Sequence, residues 1–313
     1  MPAIIANASL RLTIYSFLDL QTVVLDEGDH ANLFEPPPPA AASQGRRAGA
    51  DAPSPWLLYF KRSYVKRSDG KFKGYMPYLK TNGVLPMSYT IADAYVRPVF
   101  PQYTERTLDV VSTLRGGSHD PCRLRVREWT EEFCKSRSKV ACQVGQVNHA
   151  SRTVVDRDYL GNMYRAKIIV TVNPSHWEGD FRLMEAMATG ALVFVDNMHV
   201  HRPYPLTHGR HIVYYDNHNK TDLFDKLDFY LREGGQAQRV ATGGYLHCMK
   251  YHRAVSLIDY VFRSLHLKLY KQQLKGGQNF AIVPPIEPPY THTGFHIRNL
   301  CKEKEGDKGE GQA

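Results

Sequence analysis

An α/β fold built on a doubly wound parallel sheet is predicted from three features of this sequence. Residues 166–172 (AKIIVTV) and 191–195 (ALVFV) are unbroken, largely β-branched apolar runs, the pattern of strands buried on both faces of a parallel sheet. Between them, residues 181–189 are good helix formers, entered through Asp180 as an N-cap and left at Gly190, where a C′ glycine lets a helix stop. On either side strand and helix patterns continue to alternate, the order expected of a doubly wound sheet.

Taken in chain order, residues 10–18 and 21–25 are apolar enough for strands, and the second runs into Asp26-Glu-Gly-Asp-His30. Two acids around a glycine suggest a metal site, but no further acidic ligands cluster nearby and a polar turn after a strand is the plainer reading. Residues 35–55 are too rich in proline, alanine and glycine to pack and form a low-complexity insertion. Tyr59-Phe60-Lys61-Arg62 follows, and by residue type alone Lys61 and Arg62 read as surface cations. Residues 85–102 carry scattered aromatics and prolines without a period and read as loop with short elements.

Residues 108–114 read as a strand that leads into Arg115-Gly-Gly, and residues 121–135 carry Leu124, Val126, Trp129 and Phe133 at near-helical spacing. A strand over 139–144, a helix over 158–164, a strand over 211–215 and an amphipathic helix over 222–231 with Leu223, Leu227 and Leu231 complete the alternation. The charged, glycine-containing tail 302–313 is expected to be disordered.

The chemistry concentrates between Asn173 and Asp196. Asn173 ends one strand and Asp196 the next, at the carboxyl ends where open α/β sheets bind ligands. Arg182 and Glu185 are three apart and share a helix face, while Met184, Met187 and Ala188 can pack towards the sheet. Beside Gly179 the helix N-terminus offers unpaired N–H groups and a positive dipole end, suited to a phosphate or diphosphate. A carboxylate one turn further on can accept two ribose hydroxyls. The alternative is an ordinary crossover helix whose Arg182 and Glu185 form a solvated ion pair of little energetic consequence.

The run Gly179-Asp-Phe-Arg-Leu-Met-Glu-Ala-Met-Ala-Thr-Gly-Ala191 resembles the C-terminal nucleotide-sugar domain of GT-B glycosyltransferases, in particular the CgeB-like, glycosyl transferases group 1 branch. The resemblance extends over residues 108–252. It implies a GT-B-like chain of two Rossmann-like doubly wound domains, the N-terminal one abridged. The implied boundaries are 1–105 for the acceptor side, 106–265 for nucleotide-sugar binding, 266–301 for an extension and 302–313 for the tail.

The wider retaining family 4 enzymes place seven residues between two glutamates, the second on the ribose and the first near the transferred sugar; here Glu178 and Glu185 have six between them. Glu185 takes the ribose role in this resemblance, and Glu178 or Asp180 the catalytic one. Arg182, Arg115, Gly179, Asn173 and Asp196 complete the implied donor site. The branch also pairs an acidic turn with a later aromatic-Lys-Arg segment, which places Asp29, Lys61 and Arg62 at the cleft.

Composition bounds these readings. A chain of 313 residues with 42% hydrophobic content has material for two modest cores. Its five cysteines, odd in number and without C-x-x-C spacing, argue against a zinc site or a disulfide framework. Spacings among His199, His201, His208 and His211 match no metal signature. No apolar run is long enough to span a membrane and no signal pattern opens the chain, so a cytoplasmic protein is expected. The net charge of +9 suits an anionic partner, but no nucleic-acid motif interleaves aromatics with the basic clusters.

The expectation is a glycosyltransferase with a nucleotide sugar as co-substrate and no cofactor, retaining and metal-independent if it follows the glutamate-pair families. An inverting reaction would instead need a general base, for which Asp26, Asp29 and His30 are the candidates. The alternatives are a non-catalytic sugar-nucleotide- or glycan-binding relative and, behind it, a basic nucleic-acid-associated protein. The donor base, the acceptor and the oligomeric state have no signature in the sequence.

Overall fold

A computed structural model of the chain describes residues 11–15, 22–26, 56–62, 84–92, 95–97, 102–114, 121–146, 157–173, 180–196, 198 and 202–275. Its elements are β1 (Arg11–Tyr15), β2 (Thr22–Asp26), β3 (Trp56–Arg62), β4 (Val84–Met87), β5 (Leu108–Leu114), α1 (Pro121–Lys135), β6 (Cys142–Gln146), α2 (Arg157–Arg165), β7 (Ala166–Val170), α3 (Phe181–Ala188), β8 (Leu192–Asp196), β9 (Val213–Tyr215), α4 (Lys220–Arg232), α5 (Gly234–Tyr251) and α6 (Ala254–Lys275). They fall into two units, one holding β1–β4 with α6 from Val255 onward, the other β5–β9 with α1–α5. The mixed α/β class predicted from the sequence is the class observed.

The first unit is a four-stranded sheet in the order β1-β2-β3-β4, in which β1 runs antiparallel to β2 and the remaining pairs are parallel. Its interior is aromatic. Tyr260 of α6 meets Phe60 edge-on with ring centroids 5.4 Å apart and donates its hydroxyl hydrogen bond to the Pro86 carbonyl at 3.0 Å. Strand β4 lies where the sequence was read as loop. It occupies the sheet edge, which accommodates a proline because one side of the strand needs no N–H donor. Lys61 and Arg62 sit at the end of β3 with only 1% and 3% of their surface exposed. The Arg62 guanidinium lies 3.8 Å from the centre of the Tyr89 ring. They are therefore not surface cations.

The second unit is a parallel five-stranded sheet in the order β6-β5-β7-β8-β9. Numbered within the unit, that is 2-1-3-4-5, and the order reverses between β5 and β7. A reversal of this kind opens a crevice beyond the carboxyl ends of the strands. Val110, Leu114, Ile168, Val170, Leu192, Phe194, Val213 and Tyr215 line a shared core with Phe133 of α1, Leu223 and Leu227 of α4 and Val240 of α5. The continuous apolar runs read from the sequence are these strands.

At the amino ends of the strands Arg106 is buried among carbonyls, and burial lowers its pKa to about 10. Its guanidinium donates to Tyr164 O at 3.1 Å, Ala166 O at 2.8 Å and Thr189 O at 2.7 Å, so one side chain ties the end of α2, the start of β7 and the end of α3.

Three local expectations are corrected. Strand β6 begins at Cys142, not at residue 139, because residues 136–140 form a turn in which Val140 N–H donates to Arg137 O at 2.9 Å. A disulfide joins Cys134, at the end of α1, to Cys142 across that turn, although the odd cysteine count argued against bridges. Strand β9 starts at Val213, not at residue 211, because His208 and Ile212 pair in a bridge around Gly209, whose φ is 70°. Helix α5 was not among the elements expected from the sequence, and its Gly243-Gly244 pair lies in the helix interior. Those glycines let the helix press on backbone: a Cβ at Gly243 would lie 2.2 Å from Arg210 O, and one at Gly244 2.3 Å from His211 O. Helix α6 runs unbroken through residues 265 and 266.

Candidate functional site

Helix α3 forms as its sequence dictates. Asp180 is extended and its Oδ1 accepts the Leu183 N–H at 3.2 Å, while Thr189 closes the helix and Gly190 follows with φ 70°. Beyond Phe181 every residue of the helix is buried, Arg182 at 4% and Glu185 at 6% exposure among them. The solvated ion pair is therefore excluded. Burying a cation and a carboxylate in one helix is costly unless both are met by partners, and the partners are present.

Asp180 Oδ2 accepts from Arg182 at 3.1 Å and from Arg123 at 2.7 Å, the latter reaching over from the first turn of α1. The Asp180 carboxylate thus serves as cap and as the anion between two arginines. Glu185 Oε2 accepts the Tyr159 hydroxyl of α2 at 2.8 Å. Burial, then the charges of Glu185 and Asp180 against the opposing pull of Arg182, raise Tyr159 well above the usual phenol range. Its proton stays on at neutral pH, which makes it the donor. Burial alone would lower the Arg182 guanidinium, but Tyr159, Asp180 and Glu185 around it outweigh that and raise it.

A second cluster ties the strand ends together. Asp196, the last residue of β8, accepts the Asn173 N–H at 2.8 Å and the Asn173 amide at 2.7 Å through Oδ1, and the Asn217 amide at 2.7 Å through Oδ2. Asn173 follows β7 and Asn217 follows β9, so one buried carboxylate links the carboxyl ends of three adjacent strands. Helix α1 touches both clusters: the Asn217 amide lies 3.8 Å from Cys122 Sγ, and the next residue is Arg123. Of the residues singled out from the sequence, Asp180, Arg182 and Glu185 come together in one network and Asn173 and Asp196 in the other. Glu178, Gly179, Arg115 and Asp29 lie outside the described residues, and Lys61 and Arg62 belong to the first unit.

Sequence reasoning missed Tyr159, Arg123 and Asn217. Arg123 did carry a signal: a cation in the first turn of a helix opposes the dipole and calls for a nearby anion. Tyr159 and Asn217 carried none. Among the described residues the free thiol is Cys248, which donates to Met184 O at 3.7 Å and which burial pushes up to about 12, so it is not poised as a nucleophile.

Residues 103–262, which contain both clusters, match the family described as glycosyl transferase-like, over slightly more than half of the 313 residues. The chain belongs to that family.

Among solved structures, this family member is similar to TarM, at 12% identity and a TM-score of 0.48, covering 67% of this chain and 43% of that one. The C-terminal domain of the glycosyl transferase group 1 family protein LpcC from Francisella tularensis is also similar, at 12% identity, a TM-score of 0.41 and coverage of 52% and 99%. HepE from Anabaena, crystallised with UDP-glucose, follows at 8% identity, a TM-score of 0.45 and coverage of 67% and 64%. The chain spans less than half the length of TarM. No curated protein matches it in sequence. Among the described residues, no helix is long and apolar enough to cross a membrane.

Proposed function

We propose that this chain binds a nucleotide sugar at the carboxyl ends of the second unit's strands and transfers the sugar to an acceptor, with retention and without a metal ion. The observation that carries this reading is the buried Arg182–Glu185 pair one turn inside the capped N-terminus of α3, in a chain of the glycosyl transferase-like family. Glu185 accepts the ribose hydroxyls. Arg182, the N–H groups beside Gly179 and Arg115 hold the diphosphate. Asn173 and Asp196 keep the strand ends in register beneath it. Placement in the CgeB-like branch belongs to this reading and rests on the motif at 179–191.

In the transfer itself the bond from the anomeric carbon to the diphosphate oxygen breaks, the electron pair leaves on the diphosphate, and an acceptor oxygen forms the new bond on the same face and gives its proton to the departing diphosphate oxygen. Positive charge fixed in advance stabilises the departing diphosphate, and here the arginines and the helix dipole supply it in place of a metal. Glu178 is the carboxylate assigned to the transferred sugar. Asp180, between its two arginines, holds Arg182 at the start of α3.

Binding tests the reading first. Glu185→Ala is expected to weaken the donor about tenfold or more, the effect of losing hydrogen bonds to a charged acceptor, and Arg182→Ala to weaken nucleoside diphosphates more than nucleosides. Calorimetry on UDP-, GDP-, ADP- and CMP-sugars measures both, and unchanged affinities in both variants would remove the site assignment. One observation favours a binding relative without turnover: the engaged Asp180 leaves Glu178 as the sole catalytic candidate on α3's approach. Release of free nucleotide from a bound donor separates the two readings.

A further inference from the structure

A glutamate that reads vicinal hydroxyls must present its carboxylate in one orientation, yet its side chain has three torsions to settle. On α3 that orientation has an identifiable source. The Tyr159 hydroxyl reaches from α2 to Glu185 Oε2 at 2.8 Å, bridging residues 26 apart in sequence. Glu185 is buried and Tyr159 half-buried, so the hydrogen bond between them is largely shielded from water.

We propose that Tyr159 is the positioning residue for Glu185, and that through this contact the site selects ribonucleotides over 2′-deoxyribonucleotides. The inference rests on the donor-site reading and adds to it a residue that touches the glutamate without being assigned to the donor. A phenol is well suited to the task. It donates one hydrogen bond from a rigid ring with two torsions, and its acceptor here is a carboxylate, the strongest partner available to it. Retention of the proton follows from burial and from the acids around it. Arg182, which donates to Asp180, is coupled electrostatically to Tyr159 and Glu185 as well.

The consequence is specific. Removing the hydroxyl leaves the helix and the ring in place but takes from Glu185 Oε2 the hydrogen bond that sets its orientation. Binding that depends on both ribose hydroxyls then weakens, whereas binding that uses the base and diphosphate does not.

The test uses the full chain, with UDP, GDP, ADP and CDP and their 2′-deoxy counterparts as probes in titration calorimetry, and Tyr159→Phe and Glu185→Ala alongside wild type. For whichever ribonucleotide binds, Tyr159→Phe is expected to lose about tenfold in affinity, the scale of a hydrogen bond to a charged group. Its affinity for the deoxy form should stay within about twofold, so the preference for ribose collapses, as it also does in Glu185→Ala. A purely structural tyrosine would lower the melting temperature and weaken both forms alike, leaving the ratio intact. An intact ratio in Tyr159→Phe with a collapsed ratio in Glu185→Ala overturns the role of Tyr159 and leaves the donor site standing. Absence of binding by all four diphosphates, or an unchanged ratio in Glu185→Ala, overturns the donor-site reading and this inference with it.

Discussion

Asp196 is buried with both oxygens occupied by three N–H donors from Asn173 and Asn217. Each donor deprived of its acceptor costs about 1–3 kcal/mol when it stays buried. Asp196→Ala is therefore expected to destabilise the protein by about 3 kcal/mol or more in urea unfolding. A loss within about 0.5 kcal/mol would mean that water reaches the strand ends.

His211 makes a different prediction. Burial, then His247 and Arg210, lower its pKa to about 4, against about 6.5 in the unfolded chain. The fold favours the neutral ring, whose Nδ1 accepts the Thr207 N–H at 3.1 Å. That contribution is complete above about pH 6.5 and is lost as pH falls through about 4. Melting temperature followed from pH 7 to 4 is expected to fall further in wild type than in His211→Gln; equal slopes would assign the acid sensitivity elsewhere.

At this scale the sequence was readable where chemistry is local. The Asp180 cap and the Gly190 stop follow from neighbouring residues. The partners of the site were not readable, because Arg123 lies 57 residues from Asp180 and Asn217 21 from Asp196, separations that no local pattern spans.

Elements were legible in proportion to their burial and periodicity. The apolar runs of β7 and β8 and the leucine stripe of α4 were read correctly because the core they line imposes those patterns. Helix α5 was missed, and its glycines serve a contact made elsewhere. This makes Gly244 testable. A methyl group there would lie 2.3 Å from His211 O, a backbone atom that cannot swing aside. Gly244→Ala is expected to cost about 1–3 kcal/mol, as overpacking does, despite the better helix propensity of alanine. A stabilised variant would show that α5 can retreat from residues 210 and 211. Strand β4 escaped notice because Pro86 removes the donor that an inner strand would need, and only its edge position tolerates that.

For the whole molecule, the alternation of strands and helices gave away the doubly wound sheet, while the Cys134–Cys142 bridge could not be read from a cysteine count. The bridge closes a short loop, and on the chain-entropy account a loop of that size contributes about 2.5 kcal/mol. Under oxidising conditions the Cys134→Ser, Cys142→Ser double variant is expected to melt below wild type; because Cys122 is disulfide-bonded as well, the double variant and not reduction isolates this bridge. An unchanged melting temperature in that variant would show that the turn holds α1 and β6 without it. Alkylation before lysis reports where the chain resides: structural disulfides persist in oxidising compartments, so a bridge found intact in cells would displace the cytoplasmic placement.

The Arg106 clamp has a consequence for synthesis. Its acceptors lie 58, 60 and 83 residues downstream, so a nascent chain cannot complete it until Thr189 has left the ribosome. Until then Arg106 has at most two of its three carbonyls, and a segment that already contains β5, β6 and β7 must wait, partly assembled, for the end of the helix that carries Glu185.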